Sequence, residues 1–245
     1  MILQFFGNLG INGTVSAVLC IAFCAIAAYL LGSLNFGIIL SRRLYKEDVR
    51  ASGSGNAGST NMLRTYGKKA GFMTFGGDCA KTAVAIGIGF LFMELHGMFI
   101  AGIACMIGHT YPVFFKFKGG KGVACFAILV LITSITMGMW YLFVILFALF
   151  AFILFTTKYV SLGSITCSLL YPVLLNRFVD ISAGLLKDEE AVESILRLHS
   201  FEIYAVLAAL FVVFLHRTNI VRLLKRQENK TNLFKKKDKK DGENK

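Results

Sequence analysis

The sequence lacks the motifs that mark several common enzyme classes. None of its six cysteines forms a CxxC pair or joins a histidine at zinc-site spacing. A GxSxG nucleophile elbow and an HExxH pair are also missing. Proline is scarce, with two residues, and Asp and Glu together number 14. We therefore expect no metal site, no cofactor and cysteines that are buried thiols.

Apolar residues, in contrast, make up 56% of the 245-residue chain, more than an ordinary soluble domain contains. The composition predicts a polytopic membrane protein. The net charge of +12 could indicate nucleic-acid binding, but the basic residues lie in short segments between apolar spans and in one tail. Membrane-flanking loops explain this charge better, so no nucleic-acid partner is expected.

Seven apolar stretches predict an all-α fold with seven transmembrane helices. Short connections near Gly97 and Gly138 predict two tight hairpins. A membrane domain over 1–224 would be followed by a basic tail, 225–245, expected to be disordered and attracted to anionic lipid. Pro172 is expected to kink the sixth helix. The predicted helices cover 14–40, 79–95, 97–112, 123–138, 139–157, 161–177 and 200–216.

The distribution of Lys and Arg predicts the orientation, because these residues favour the cytoplasmic ends of membrane spans. With an external N-terminus and a cytoplasmic C-terminus, 23 of the 26 lie on the cytoplasmic side. The long external loop at 178–199 is then acidic. Three polar segments, 41–78, 109–122 and 216–226, would share the cytoplasmic face, where they could form one composite site.

The glycine-rich stretch 53–71 of the first segment is typical of an anion-binding loop. Glycines allow backbone N–H groups to approach a ligand, and short polar side chains and Arg64 add further contacts. The alternative is a flexible polar linker, which the same composition also forms. The residues concerned are Gly53, Ser54, Gly55, Asn56, Gly58, Thr60 and Asn61.

The second and third segments offer further polar groups. Lys121, flanked by Gly120 and Gly122, precedes a helix whose N-terminal N–H groups could face an anion, although it could equally be a membrane anchor. His216 and Asn219 are three residues apart and would share one helical face. For His109 and Asp78 we first expect a hydrogen bond at a helix end. Support of the site is the second expectation for both.

Two other functions compete with that of an enzyme at the membrane surface. A nucleotide triphosphatase is disfavoured because GSGNAGST at 53–60 keeps the glycine spacing of a phosphate loop but lacks its lysine. A transporter is disfavoured because almost every charge lies at the cytoplasmic boundary rather than within the spans. An enzyme acting on a phosphorylated substrate and a lipid-soluble one fits better.

Three blocks together resemble the bacterial acyl-phosphate:glycerol-3-phosphate acyltransferases. They are DVRASGSGNAGSTNMLRTYGKKAG, ending at position 71, GHTYPVFFKFKGGKGVA at 108–124, and HRTNIVRLLKRQE at 216–228, with DCAK at 78–81 between the first two. The resemblance implies a seven-helix fold with these blocks on the cytoplasmic side of the bacterial cytoplasmic membrane. It also implies acyl transfer from acyl phosphate to the sn-1 hydroxyl of glycerol 3-phosphate, which yields lysophosphatidic acid and starts phospholipid synthesis. Membrane lipid and a peripheral enzyme that makes acyl phosphate would be partners.

The resemblance also implies residue roles. His216, Asn219 and Ser54 would be catalytic, and phosphate would be bound by Ser54, Arg64, Lys121, Asn219, Gly53, Asn56 and Gly120, with Thr60, Asn61, His109 and Asp78 in support. The HxxxxD motif of other glycerolipid acyltransferases is missing. The proton acceptor is therefore left open between His216 and the phosphate of the substrate.

Overall fold

The computed structural model describes residues 12–231, which are helical with no β-strand in that range. Ten α-helices occur there, joined by loops and three short 3₁₀ segments. They are α1 Gly13–Ser33, α2 Phe36–Leu44, α3 Ser59–Tyr66, α4 Lys68–Thr110, α5 Val123–Thr136, α6 Trp140–Thr157, α7 Val160–Gly184, α8 Glu189–Leu196, α9 Glu202–Leu215 and α10 Arg217–Leu224.

Within residues 12–231, five helical stretches are long and apolar enough to cross a membrane. The apolar helix α5 is shorter, at 14 residues. Large apolar side chains such as Val18, Phe152 and Leu210 are exposed on the outer faces of these helices, as expected for lipid contact. The prediction of an all-helical membrane protein is confirmed, and the count of seven spans stays a prediction. The five stretches are Gly13–Leu44, Lys68–Phe115, Trp140–Thr157, Val160–Gly184 and Glu189–Leu215.

The first predicted helix is not continuous, because the chain leaves helical geometry between α1 and α2. The Asn35 side chain accepts a hydrogen bond from the backbone N–H of Ile38 and so caps α2. Lys81 on α4 donates to the carbonyl oxygens of Gly32 and Leu34, at 2.9 and 3.0 Å. The carbonyl oxygens at the break are thus hydrogen-bonded by Lys81. A pattern of apolar residues could not reveal this contact.

The second and third predicted spans belong to α4, which begins at Lys68, well before the predicted start at 79. Its helical geometry fails at Met93 and Glu94, where Glu94 adopts φ 50°. The predicted turn near Gly97 was therefore placed a few residues too late. Gly97 instead packs closely on Gly89 of the preceding limb, where a Cβ would overlap the facing backbone. We call 68–92 and 95–110 the first and second limbs of α4.

The remaining boundaries are closer to the prediction. Gly138, with φ 73°, turns the chain between α5 and α6, which confirms that hairpin. Helix α7 continues to Gly184 with Pro172 inside it, and α8 occupies part of the expected external loop. Five of the cysteines are buried free thiols as expected, whereas Cys79 is partly exposed.

Close helix packing around the second limb of α4 positions the polar segments. A Cβ at Gly32 of α1 would overlap the backbone of Cys105, and one at Gly108 would overlap the carbonyl oxygen of Tyr29. Small residues permit such close backbone approach in membrane proteins. Phe99, Leu129 and Tyr171 are fully buried in the adjoining core. The end of α4, where the second polar segment begins, is thereby fixed against α1.

Candidate active site

A cavity of about 370 Å³ lies where the three polar segments meet. One part of its lining is polar and cationic, and includes Arg64, Lys121 and Arg222. Another part is apolar, with Phe72, Phe150, Leu154 and other side chains from α4, α6 and α7. The cavity therefore joins a site suited to an anion to one suited to a hydrocarbon chain.

The first polar segment forms a tight loop organised by Asn61. Its side-chain oxygen accepts from the backbone N–H of Ser54 at 2.8 Å, and its amide donates to the carbonyl oxygens of Val49 and Ser52. Gly53 has φ 62°, and a Cβ there would overlap the Asn61 oxygen. Asn61 is thus a buried structural support that leaves Ser54 exposed at the cavity.

Arg50 connects this loop to the second segment. Its guanidinium donates to the carbonyl oxygens of Phe115 and Lys118, at 2.9 and 2.8 Å, and pairs with both carboxylate oxygens of Asp48. The Arg50 hydrogen bond holds the pKa of Asp48 well below its usual range, and Arg42 adds to this effect. A second link between the segments is the backbone N–H of Ala57, which donates to the carbonyl oxygen of Gly119 at 3.4 Å. The sequence prediction included neither Arg50 nor Asp48 among the site residues.

The second segment presents Lys121 from the turn that precedes α5. The Lys121 ammonium donates to the side-chain oxygen of Asn219. Burial, followed by the nearby charge of Arg222, lowers the pKa of Lys121 to about 8, with a smaller contribution from Arg64. Lys121 is therefore a partly desolvated cation, which binds an anion more strongly than an exposed lysine does.

The third segment contributes His216, which is buried just beyond the end of α9. Its Nδ1 lies 2.8 Å from the carbonyl oxygen of Val212. Because a carbonyl can only accept, Nδ1 carries the proton and the lone pair is on Nε2. Burial lowers the pKa of His216 to about 4, and the charge of Lys121 contributes, so the ring is neutral near pH 7.

Glu228 ties the third segment together and was not predicted as a site residue. Its carboxylate accepts from Asn219, Arg222 and Ser161, at 2.7, 2.8 and 3.0 Å. Burial raises the pKa of Glu228, but these three hydrogen bonds outweigh it and the net shift is downward. Glu228 thus holds Asn219 in place to accept from Lys121.

Residues 225–231, at the start of the predicted disordered tail, make defined contacts in the structure, and disorder of the tail stays a prediction. Besides the Glu228 contacts, the backbone N–H of Thr231 donates to the carbonyl oxygen of Lys158 at 2.8 Å. Glu228 lies within the third sequence block, so that block was the available signal. The rest of the predicted tail, 232–245, lies outside the described residues, and the boundary at 224 stays a prediction.

The cavity brings together most of the predicted site residues. Gly53 and Gly120 do not line it but shape the loops behind it. The predicted residues that line the cavity are Ser54, Asn56, Thr60, Asn61, Arg64, Asp78, His109, Lys121, His216 and Asn219.

Comparison with known proteins identifies the family of this chain. The family model described as glycerol-3-phosphate acyltransferase matches residues 22–226. A glycerol-3-phosphate acyltransferase of Thermoanaerobacter pseudethanolicus is 40% identical over 206 residues, covering 84% of this chain and 93% of the relative. Glycerol-3-phosphate acyltransferase 2 of Bacillus cereus is 37% identical over 212 residues, covering 86% and 95%.

Two solved structures share the fold. Both are crystal structures of PlsY (YgiH), an integral membrane glycerol 3-phosphate acyltransferase, one in a glycerol 3-phosphate form and one in a lysophosphatidic acid form. Each is 32% identical, with TM-scores of 0.70 and 0.67. The first alignment covers 88% of this chain and 99% of the solved one, and the second covers 87% and 96%. The chain is therefore an integral membrane acyltransferase that belongs to the glycerol-3-phosphate acyltransferase family.

Proposed function

We propose that this protein transfers a fatty acyl group from acyl phosphate to the sn-1 hydroxyl of glycerol 3-phosphate. The products are lysophosphatidic acid and inorganic phosphate, and the reaction is the first step of bacterial phospholipid synthesis. The observation that carries the proposal is one cavity in which Arg64, Lys121 and His216, from three separate sequence blocks, adjoin apolar side chains of the helices. Such a cavity suits a phosphorylated acceptor and a lipid-like donor together.

The cationic end binds phosphate. Arg64 offers a planar fork that can contact two phosphate oxygens, and Lys121 offers a point charge. Ser54, Asn56 and Asn219 add polar contacts, and the loops shaped by Gly53 and Gly120 bring backbone close to the ligand. Thr60, Asn61, His109 and Asp78 support these groups.

The chemistry needs positioning and charge neutralisation more than a covalent nucleophile, because acyl phosphate is a mixed anhydride with a good leaving group. The sn-1 oxygen attacks the acyl carbonyl carbon and forms the new C–O bond. The bond from this carbon to the phosphate oxygen breaks, and phosphate leaves with the electron pair. The proton of the hydroxyl passes to an acceptor in the cavity.

Two acceptors are available, and their basicities differ. The Nε2 lone pair of His216 belongs to a ring whose pKa is lowered to about 4. The second pKa of a phosphate monoester in water is about 6, above that of the His216 ring. We propose that phosphate takes the proton while Nε2 of His216 accepts the hydrogen bond that orients the hydroxyl, with Ser54 and Asn219 beside it.

The proposed topology has seven spans. It comprises α1, the two limbs of α4, α5, α6, α7 and α9, with the N-terminus external and the C-terminus cytoplasmic in the bacterial cytoplasmic membrane. The charge distribution supports it. In this arrangement the cavity lies on the cytoplasmic side of the membrane domain 1–224, with Glu228 of the following segment in its lining. There the cavity can receive glycerol 3-phosphate from the cytosol and acyl phosphate from a peripheral enzyme that produces it.

A donor comparison tests the proposal. Purified protein in lipid nanodiscs is given radiolabelled glycerol 3-phosphate with acyl phosphate, acyl-CoA or acylated carrier protein. The proposal predicts lysophosphatidic acid from acyl phosphate and little from either thioester. Efficient turnover with a thioester and none with acyl phosphate would contradict it. The variant Lys121→Ala, given the same donors, reports background from contaminating enzymes.

A further inference from the structure

His109 is a second histidine at the cavity, and the residues around it fix where its proton lies. It sits at the end of the second limb of α4, 3% exposed, and lines the cavity with Asp78. Its backbone carbonyl accepts from the N–H of Gly120 at 3.1 Å and from the Asn35 side chain at 3.3 Å. The ring is therefore held against the loop that carries Lys121.

Lys81 determines which ring nitrogen carries the proton. The Lys81 ammonium, buried beside the carboxylate of Asp78 at 2.8 Å, lies 3.0 Å from Nδ1 of His109. An ammonium has no lone pair, so at this distance it can only donate, and Nδ1 must accept. Asp78 also lies near this nitrogen, at 3.3 Å, but the Lys81 ammonium is closer, and we assign the hydrogen bond at Nδ1 to Lys81. The proton of the ring is therefore on Nε2.

Lys81 makes three hydrogen bonds in this arrangement, beside its ion pair with Asp78. Two go to the carbonyl oxygens of Gly32 and Leu34 at the break after α1, and the third goes to His109. Asp78 supplies the counter-charge, without which a buried ammonium would be costly. The network thus has a complete structural reason to hold His109 with Nδ1 as acceptor.

Nε2 of His109 has no acceptor among the residues that the structure describes. It lies beside Gly120, where a Cβ would overlap it, in the same turn as Lys121. The His109 ring lines the cavity, so an acceptor bound there can reach this N–H. We propose that Nε2–H of His109 donates to a phosphate oxygen of a substrate in this cavity, an inference that rests on the proposed function.

The two cavity histidines then have opposite roles set by opposite tautomers. His216 donates from Nδ1 to Val212 and presents a lone pair on Nε2, whereas His109 accepts at Nδ1 from Lys81 and presents N–H on Nε2. One is an acceptor for a hydroxyl and the other a donor to an anion. Asp78 and Lys81 are positioning residues that act through His109.

Two conservative variants separate substrate contact from structural support. In His109→Asn the amide oxygen can replace Nδ1 as the acceptor for Lys81, but the side chain does not reach the position of Nε2. In His109→Gln the longer side chain places an amide N–H there. We expect His109→Asn to lose on the order of 10- to 100-fold in kcat/KM for one substrate. His109→Gln should lose distinctly less, and thermal unfolding of His109→Asn should match wild type.

The substrate that His109 contacts is identified by measuring kcat/KM with each substrate limiting in turn. A loss seen with glycerol 3-phosphate limiting assigns the contact to its phosphate, and a loss seen with acyl phosphate limiting assigns it to the donor. Wild-type kcat/KM for both substrates in His109→Asn would overturn the inference. An equal loss in both variants together with a lowered unfolding temperature would also overturn it, because it indicates support of the fold alone.

A spectroscopic reading does not depend on turnover. The chain has four histidines, so ¹⁵N-histidine labelling gives few imidazole signals, and the spectrum of His109→Asn identifies those of His109. We expect a protonated Nε2 that shifts when glycerol 3-phosphate or a non-hydrolysable acyl phosphonate is added. A protonated Nδ1, or no shift with either ligand, contradicts the inference. If wild type makes no lysophosphatidic acid from acyl phosphate, the proposed function fails. The spectrum would still test whether Nε2–H of His109 contacts a phosphate ligand.

Discussion

At the scale of single residues, the electrostatics of Lys121 make activity depend on pH. Its pKa is lowered to about 8, so the ammonium is charged below that pH and loses its proton as the pH rises through it. Phosphate binding by Lys121 is therefore strongest well below pH 8 and declines as the pH rises through about 8. Because kcat/KM reports ionisations of the free enzyme, we expect kcat/KM for glycerol 3-phosphate to fall with a midpoint near pH 8.

The variant Lys121→Arg provides the control for this profile, since a guanidinium stays protonated throughout the accessible range. Its alkaline decline should disappear or move to a much higher pH, whatever its absolute activity. Glu228 raises the pKa of Lys121, so Glu228→Gln should move the decline to lower pH. An unchanged midpoint in Lys121→Arg would show that another group is responsible.

Arg64 is predicted to act through its geometry as well as its charge. Arg64→Lys keeps the charge but loses the fork that contacts two oxygens, so it should remain impaired by roughly 10-fold or more in kcat/KM. Lys69→Ala removes an exposed cation close by in the chain and should change turnover little. Initial rates at limiting glycerol 3-phosphate compare the two, and equal activities would indicate that Arg64 serves only as a basic anchor.

The position of several predicted residues at one cavity followed from the sequence because their types and order are distinctive, while their roles stay predictions. Arg64, Lys121 and His216 belong to the three sequence blocks that carry the family resemblance. The structure brings all three residues to one cavity. Glu228 was missed although it ends the third block, because the residues that follow it have the composition of a charged tail. Only its contacts with Asn219 and Arg222 show its role, and a linear sequence does not contain such pairings.

At the scale of secondary-structure elements, the turn before α5 depends on the ring of His109. A Cβ at Gly120 would overlap Nε2 of that ring, and one at Gly119 would overlap the carbonyl oxygen of His109. Gly120→Ala must therefore displace the turn that carries Lys121. We expect the KM for glycerol 3-phosphate to rise on the order of 10-fold or more, while kcat changes less.

Gly87→Ala is the matched control, since it makes the same glycine-to-alanine change where nothing lies within 4 Å of the added Cβ. Alanine is favoured over glycine inside a helix by about 1 kcal/mol, so this variant should be as active as wild type and at least as stable. A wild-type KM in Gly120→Ala would show that the turn moves without affecting substrate binding.

Helix existence was predictable from hydropathy, but helix interruption was not. The break at Leu34 and Asn35 is stabilised by Lys81, which lies far along the chain, and the reversal at Met93 and Glu94 has no glycine or proline to indicate it. The turn was predicted near Gly97 because glycine is common in turns, although Gly97 packs closely on Gly89. Tertiary contacts decided both cases.

At the scale of the whole molecule, the account requires all three polar segments on the cytoplasmic side. Single cysteines at Ser59 and Asp188, in a variant otherwise without cysteine, test this in intact cells with a membrane-impermeant reagent. The topology predicts labelling at 188 from outside and protection at 59 until the cells are opened. The reverse pattern would place the cavity outside and remove access to cytosolic glycerol 3-phosphate.

The central claim is that separate sequence blocks form one phosphate site, and a double-mutant cycle on Arg64 and Lys121 tests it most directly. Each alanine variant should lose about 2–4 kcal/mol of transition-state stabilisation, or roughly 30- to 1000-fold in kcat/KM at limiting glycerol 3-phosphate. If both cations act on one ligand, the double variant should depart from additivity by about 0.5–3 kcal/mol. Near wild-type activity in both single variants, or effects that multiply independently in folded protein, would contradict a shared site.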